Sequence, residues 1–145
     1  MFKTILVPTD GSPASDIAVS AAVKFAKVLG AKIIGISVAE PPPSVLLSDS
    51  DFFGTAHQFK ERAHDLAKEY VARVAAAASA EGVPCETIAV HAIRPHEEIV
   101  NAAKKYNCDL IFMASHGHKG LAALFVGSVT QKVLAHSSVP VLVFR

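Results

Sequence analysis

The sequence predicts an α/β fold: a single-domain, doubly wound, five-stranded parallel sheet with helices on both faces. Three observations predict it. Short continuous apolar runs recur along the chain, as parallel strands buried on both faces require. Between them lie amphipathic stretches at helical spacing with turn chemistry at their ends, so the order reads βαβαβαβαβ. The chain has 145 residues, 51% of them apolar, which is enough to bury a core without disulfide or metal staples. No internal repeat or second domain interrupts residues 1–145.

Thr4-Ile5-Leu6-Val7 is the first strand, ending in the turn residues Pro8-Thr9-Asp10-Gly11. Ser12 is an N-cap with Pro13 at the first helical position, and Ala18, Ala22, Phe25 and Leu29 mark a helix that stops at Gly30. Ile33 to Val38 repeats the buried-strand pattern. Pro41-Pro42-Pro43 and the polar Ser48–Asp51 stretch then predict a long loop, Pro41–Gly54. From about Thr55 the spacing of Phe59, Ala63, Leu66, Tyr70 and Val74 predicts a long amphipathic helix closed by Gly82-Val83-Pro84. Glu86 to His91 alternates more than the other strands, as an edge strand with one wetter face does. Pro95 opens a third helix carrying Ile99, Val100, Ala103 and Tyr106, with Asn107 as a left-handed cap before the strand Leu110 to Met113. A loop bearing histidine and glycine, a short helix from about Ser128 and the strand Val141 to Phe144 complete the chain.

Composition excludes several classes of function. Fourteen Lys and Arg against thirteen Asp and Glu give a formal net charge of +1. The cations are scattered, so no basic face for nucleic acid or an anionic membrane is expected. No apolar run reaches the ~18 residues of a membrane span, and the N-terminus runs straight into a strand, which predicts a cytoplasmic protein. Cys85 and Cys108 are too few and too unpatterned for a disulfide framework or a zinc site, and they read as small buried hydrophobes in a reducing compartment.

In an open α/β sheet, ligands bind beyond the carboxyl ends of the strands, where connections part to opposite faces. The loops to examine are therefore Pro8–Ser12, Val38–Glu40 and Ala114–Ser128. The last contains Gly117, nine residues, and then Gly127-Ser128 at the start of a helix. Glycines let a backbone approach a phosphate, and the free N–H groups and dipole of a helix start favour negative charge. Ser128 and Gln131 also have capping-box spacing, so Ser128 is expected to cap its own helix. Both roles are compatible, because a cap satisfies one N–H and leaves others for an anion.

Three ordered motifs carry a resemblance: Val7-Pro8-Thr9-Asp10-Gly11-Ser12, Met113-Ala114-Ser115-His116-Gly117-His118-Lys119-Gly120-Leu121, and Val126-Gly127-Ser128-Val129-Thr130. With the closing Ser138-Val139-Pro140-Val141-Leu142-Val143, they make the chain similar from end to end to the universal stress protein family, in its ATP-binding branch. The resemblance implies strand order 3-2-1-4-5 and ATP or AMP as ligand. It also implies that Asp10 bonds the ribose or adenine, that the Val38 backbone reads the adenine edge, and that Pro8 and Thr9 line the base pocket. Gly117, Gly127, Ser128 and Val129 are implied to hold the phosphates, and Met113, Ala114, His116 and Thr130 to complete the nucleotide-binding residues. Mg²⁺ is expected to bridge phosphate oxygens without a protein cage of its own. Ala114 stands where that branch has its first glycine: the added methyl is mild at negative φ, and strains the chain by about 1 kcal/mol at positive φ. The family further implies a homodimer through the last strand, Val141, Leu142 and Val143, a segment apolar enough to pair across an open sheet edge.

Other constellations are weaker. Asp10, Ser12 and His116 suggest a hydrolase set, but no nucleophile elbow accompanies them and Ser12 is better explained as a cap. His116, His118 and His136 are too few for a metal site. Asp49 and Asp51 lack calcium-loop spacing, and Lys119 reads as a solvated lysine that could steer phosphate. The Walker and dinucleotide patterns are absent. The expected function is a nucleotide-binding stress-response regulator with an unknown protein partner, with no catalysis beyond incidental ATP hydrolysis. A weak ATPase and an interaction dimer that binds no nucleotide are the alternatives.

Overall fold

The computed structural model describes residues 1–41, 52–117 and 125–145. Its elements are β1 (Thr4–Pro8), α1 (Pro13–Leu29), β2 (Lys32–Ala39), α2 (Phe52–Ala80), β3 (Cys85–His91), α3 (Pro95–Lys105), β4 (Leu110–Ala114), α4 (Ser128–His136) and β5 (Val141–Phe144). The five strands form one sheet in the order β3-β2-β1-β4-β5, with every pairing parallel. The strand order and the alternation of strands and helices follow the sequence expectation. Most of the predicted loop Pro41–Gly54 lies outside the described residues, and its last three, Phe52 to Gly54, already belong to α2.

The pleat divides the core in two. Ile5, Val7, Ile33, Leu110, Phe112 and Ala114 face one side, where Ala18, Ala22, Val23 and Ala26 of α1 and Val74 and Ala78 of α2 pack on them. Leu6, Ile34, Ile36, Ile111 and Met113 face the other, against Ile99, Ala102 and Ala103 of α3 and Val133 of α4. Strands buried on both faces need apolar side chains at every position, which is why β1 and β4 read as unbroken runs and are buried throughout. β3 and β5 form the two sheet edges. β3 leaves Glu86, Thr87 and His91 exposed, and all four residues of β5 are half-buried.

Three helices end in the same way. Gly30, Gly82 and Asn107 are left-handed. The next residue's N–H returns to a carbonyl five positions back: Ala31 to Ala26 at 2.9 Å, Val83 to Ala78 at 2.9 Å, and Cys108 to Ala103 at 2.8 Å. This closure satisfies the last carbonyls and aims the chain back into the sheet. Tyr106, expected inside the third helix, is its C-cap. Cys108 is buried, and burial, with Asp109 beside it, raises its thiol to about 11. It therefore behaves as the small hydrophobe expected. Both cysteines are unpaired.

Candidate functional site

β1 and β4 are neighbours in the sheet, yet their helices leave for opposite faces, α1 to the side of α2 and α4 to the side of α3. The crevice beyond their carboxyl ends is thus where two connections part, the position at which doubly wound sheets hold ligands.

The β1 side is a tightly bonded turn. Thr9 is buried; its N–H donates to the Ile36 carbonyl at 2.9 Å, and its Oγ1 accepts from the Gly11 N–H at 3.2 Å. Asp10 donates its N–H to Ser15 Oγ at 3.3 Å and accepts the Ser12 N–H on Oδ1 at 3.0 Å. Ser12 Oγ accepts the Ser15 N–H at 3.2 Å, so Ser12 is the cap of α1, as expected. Gly11 has φ +73°, and the Tyr70 ring occupies the place a Cβ would take. Pro8 is buried at the end of β1.

β2 runs past β1. The last register pair is Pro8 with Ile36, whereas β2 continues to Ala39 beside β3. The Ile36 carbonyl points to the β1 side and the Ala39 carbonyl to the β3 side. Backbone direction alternates along a strand, so Val38 turns its N–H and C=O towards the space beyond the end of β1. Its side chain packs in the core on the α3–α4 side.

On the β4 side, Ala114 pairs with Phe144 and is buried. No described residue except Asn107 combines a side chain with positive φ, so Ala114 is an extended strand residue and its methyl packs in the α1–α2 core. The strained alternative for this alanine does not arise. Ser115 donates its N–H to the Phe144 carbonyl at 2.9 Å and accepts the Gly127 N–H at 2.7 Å on its own carbonyl. Its hydroxyl lies 2.9 Å from His116 Nδ1. Gly117 lies directly against the Asp10 carboxylate: a Cβ there would overlap Oδ2. A Cβ on Gly127 would stand 3.3 Å from His116 Cα. Glycine is thus fitted to both places where backbone crosses the crevice.

The start of α4 departs from the sequence expectation. Gly127, not Ser128, is the N-cap, and it makes no side-chain cap. Ser128 is the first helical residue, exposed, and the Gln131 side chain donates to the Val126 carbonyl at 2.7 Å instead of closing a capping box. The boundary lies one residue earlier because Gly127 at φ −60°, ψ 152° lets its carbonyl accept the first helical bond, from the Gln131 N–H at 3.0 Å. Thr130 is buried and donates Oγ1 to the Ala114 carbonyl at 3.0 Å, which fixes this helix start to the end of β4. The first turn contains no acidic residue.

The crevice therefore brings together Thr9, Asp10, Gly117, Gly127 and Thr130 with the Val38 backbone at its margin. Met113 and Val129 place their side chains in the core on the α3–α4 side, leaving backbone groups as what they can offer. The residues of the hydrolase set have other partners: the Ser12 hydroxyl caps α1 and His116 faces Ser115. His118, Lys119, Asp49 and Asp51 lie outside the described residues. Among the described residues, no group of three His, Cys, Asp or Glu side chains is placed to hold a metal, and no helix is long and apolar enough to cross a membrane. Ser15, Ser115, Tyr70 and Arg73 shape the crevice without having been singled out from sequence for that role. Nothing short-range in the chain links the last two to Gly11. A separate cleft of about 550 Å³ lies between α2 and β3, lined by charged side chains and by His57, His64 and His91; it is open and does not touch the crevice residues.

The universal stress protein family model matches residues 1–145. A universal stress protein of Thermus aquaticus is 37% identical over the full length of both chains. The solved structure of MJ0577, a universal stress protein of Methanocaldococcus jannaschii, superposes with a TM-score of 0.81 at 32% identity, covering 99% of this chain and 95% of that one. A universal stress protein solved in complex with cAMP superposes with a TM-score of 0.68 at 26% identity, covering 99% and 97% of the two chains. Its full-length match to the family model, its sequence likeness to the Thermus protein and its five-stranded 3-2-1-4-5 sheet mean that this chain belongs to the universal stress protein family.

Proposed function

We propose that this chain is a stress-response regulatory module of one domain, residues 1–145, that binds ATP or AMP across the crevice and works as a homodimer in the cytoplasm. One observation carries the reading: the Gly117 backbone lies so close to the Asp10 carboxylate, beside a helix start with no side-chain cap and no acid, that the crevice fits backbone recognition of an anion with a carboxylate beside it. The relative solved with cAMP supports a nucleotide as that anion. In this reading Asp10 bonds the ribose, the Val38 backbone reads the base, Pro8 and Thr9 line the base pocket, and the N–H groups of Ser128, Val129 and Thr130 hold phosphate with Gly117 and Gly127. Met113, Ala114 and His116 frame the approach from β4. Mg²⁺ is carried on the phosphates, where it neutralises their charge. Ser12 and His116 are committed to other partners, which supports regulation over catalysis.

The dimer would form at β5, an edge strand with half-buried Leu142 and Phe144. Phe25, Phe112 and Phe144 form a ring contact series from α1 across β4 to that edge, with centroids 5.9 Å apart at each step.

Calorimetric titration of nucleotide-stripped protein with Mg-ATP, with mass measured on the same sample, tests the reading. Micromolar binding by a dimer is expected. Gly117→Val should weaken it by about 100-fold, because the side chain displaces the Asp10 carboxylate. Absence of heat from the wild type, or equal affinity in Gly117→Val, would remove the nucleotide reading and leave the interaction dimer.

A further inference from the structure

We propose that Tyr70 and Arg73 of α2 are positioning residues for the Asp10 carboxylate, setting the affinity of the crevice from a helix outside it. The inference rests on the nucleotide reading only for what Asp10 binds; the positioning itself is argued from the ligand-free geometry.

Arg73 holds the β1–α1 turn at two points. Its Nη1 lies 2.8 Å from Asp16 Oδ2 in the first turn of α1 and donates to the Gly11 carbonyl at 3.4 Å. Its guanidinium carbon stands 4.9 Å from the centroid of the Tyr70 ring, and that ring fills the space beside Gly11 where a Cβ would be. A cation held over an aromatic face is attracted to it, which favours the position from which Nη1 reaches both oxygens.

The link to Asp10 is one peptide unit. The Gly11 carbonyl and the Ser12 N–H are the two ends of a single planar group and point in opposite directions. Arg73 holds the carbonyl end; the Asp10 Oδ1 accepts from the amide end at 3.0 Å. A glycine at φ +73° has unusual freedom to rotate that peptide. Fixing the carbonyl therefore fixes the direction of the N–H that orients the carboxylate, and with it the face that Asp10 presents to the crevice beside Gly117. Tyr70 contributes by blocking the volume into which Gly11 would otherwise move.

The Arg73–Asp16 pair is about half exposed, with side-chain exposures of 48% and 44%, and exposed pairs of this kind contribute little to stability. Loss of Arg73 should therefore leave the fold intact and act on the turn. The test uses the full chain with Arg73→Ala, Arg73→Lys and Tyr70→Leu, measuring Mg-ATP affinity, melting temperature, and hydrogen exchange of the Ser12 amide without nucleotide. Arg73→Ala is expected to exchange the Ser12 amide about tenfold faster and to bind Mg-ATP about tenfold more weakly at a nearly unchanged melting temperature. Tyr70→Leu should move in the same direction, and Arg73→Lys should recover part of both effects. Wild-type exchange at Ser12 in Arg73→Ala overturns the positioning role. So does a loss of affinity that comes only with a large fall in melting temperature and is not recovered by lysine. If the wild type itself binds no Mg-ATP, the nucleotide reading fails, while Ser12 exchange still decides whether Arg73 and Tyr70 position Asp10.

Discussion

Two helices begin at the same crevice and begin differently. α1 starts closed: Ser12 caps it at 3.2 Å, Asp16 lies in its first turn, and Arg73 holds Asp16 in place. α4 starts open: its cap is Gly127, no side chain caps it, and its first turn contains no acid. The dipole of each helix favours negative charge at its start. In α1 the protein supplies that charge itself; in α4 it supplies only backbone N–H groups, so the proposed function places the external anion at α4 and not at α1. Thr130, tied to the Ala114 carbonyl, keeps the open start rigid without filling it.

Among tests of this contrast, converting α4 into a copy of α1 gives the largest expected effect. Ser128 is exposed at the first helical position, so Ser128→Asp places a carboxylate at the dipole's positive end and should stabilise the helix by about 0.3–1 kcal/mol. The same charge would repel phosphate and weaken Mg-ATP binding by roughly tenfold, or about 1.4 kcal/mol. Opposite signs for stability and affinity are the signature, read from a melting curve and a titration on one sample. Unchanged affinity in a more stable variant would mean that phosphate does not meet this helix.

The closed start of α1 was fully legible in the chain, because Ser12-Pro13 writes the cap and the first helical residue next to each other. The open start of α4 was misread by one residue: Ser128 and Gln131 have capping-box spacing, but the cap position belongs to Gly127, which leaves no local chemical mark of its choice. The buried runs of β1 and β4 and the left-handed Asn107 followed from periodicity and turn chemistry, and the strand order from the family resemblance. Asp10, Gly117 and Gly127 came from motif and position together, and the structure brings them to one crevice. Tyr70 was legible only as an apolar stripe residue and Arg73 not at all, since their contacts with Gly11 and Asp16 span 57 residues or more. Such contacts are decided by how α2 packs over α1, which no local pattern encodes.

Removing the cap of α1 is the complementary experiment and a smaller one. Ser12 is 2% exposed and its hydroxyl is the acceptor for the Ser15 N–H. Ser12→Ala should cost about 1 kcal/mol of unfolding free energy, measured as a lower denaturant midpoint at unchanged slope. The Asp10 bond to the Ser12 N–H is a backbone contact and survives the substitution, so Mg-ATP affinity should change by less than about twofold. A large loss of affinity would mean that the closed start also serves the ligand.

Acid should act at the seam of α2 and β3. His91 is held below its ordinary value by burial first, then by the neighbouring His64 and by Lys60. The His64 and His91 rings stack with centroids 4.5 Å apart, and His64 Nδ1 is buried without a hydrogen-bond partner among the described residues. In the unfolded chain a histidine takes up its proton near pH 6.5, while in the fold His91 resists it until lower pH. The unfolded state thus binds more protons in that interval. The stability contributed by neutral His91 is complete above about pH 6.5 and declines as pH falls towards the folded value. Because His91 is largely exposed, solvent screening makes this the smallest of the effects. Denaturant midpoints at about pH 7.5 and 5.5 should differ less in His91→Gln than in the wild type. An equal difference in both proteins would mean that His91 does not carry the effect.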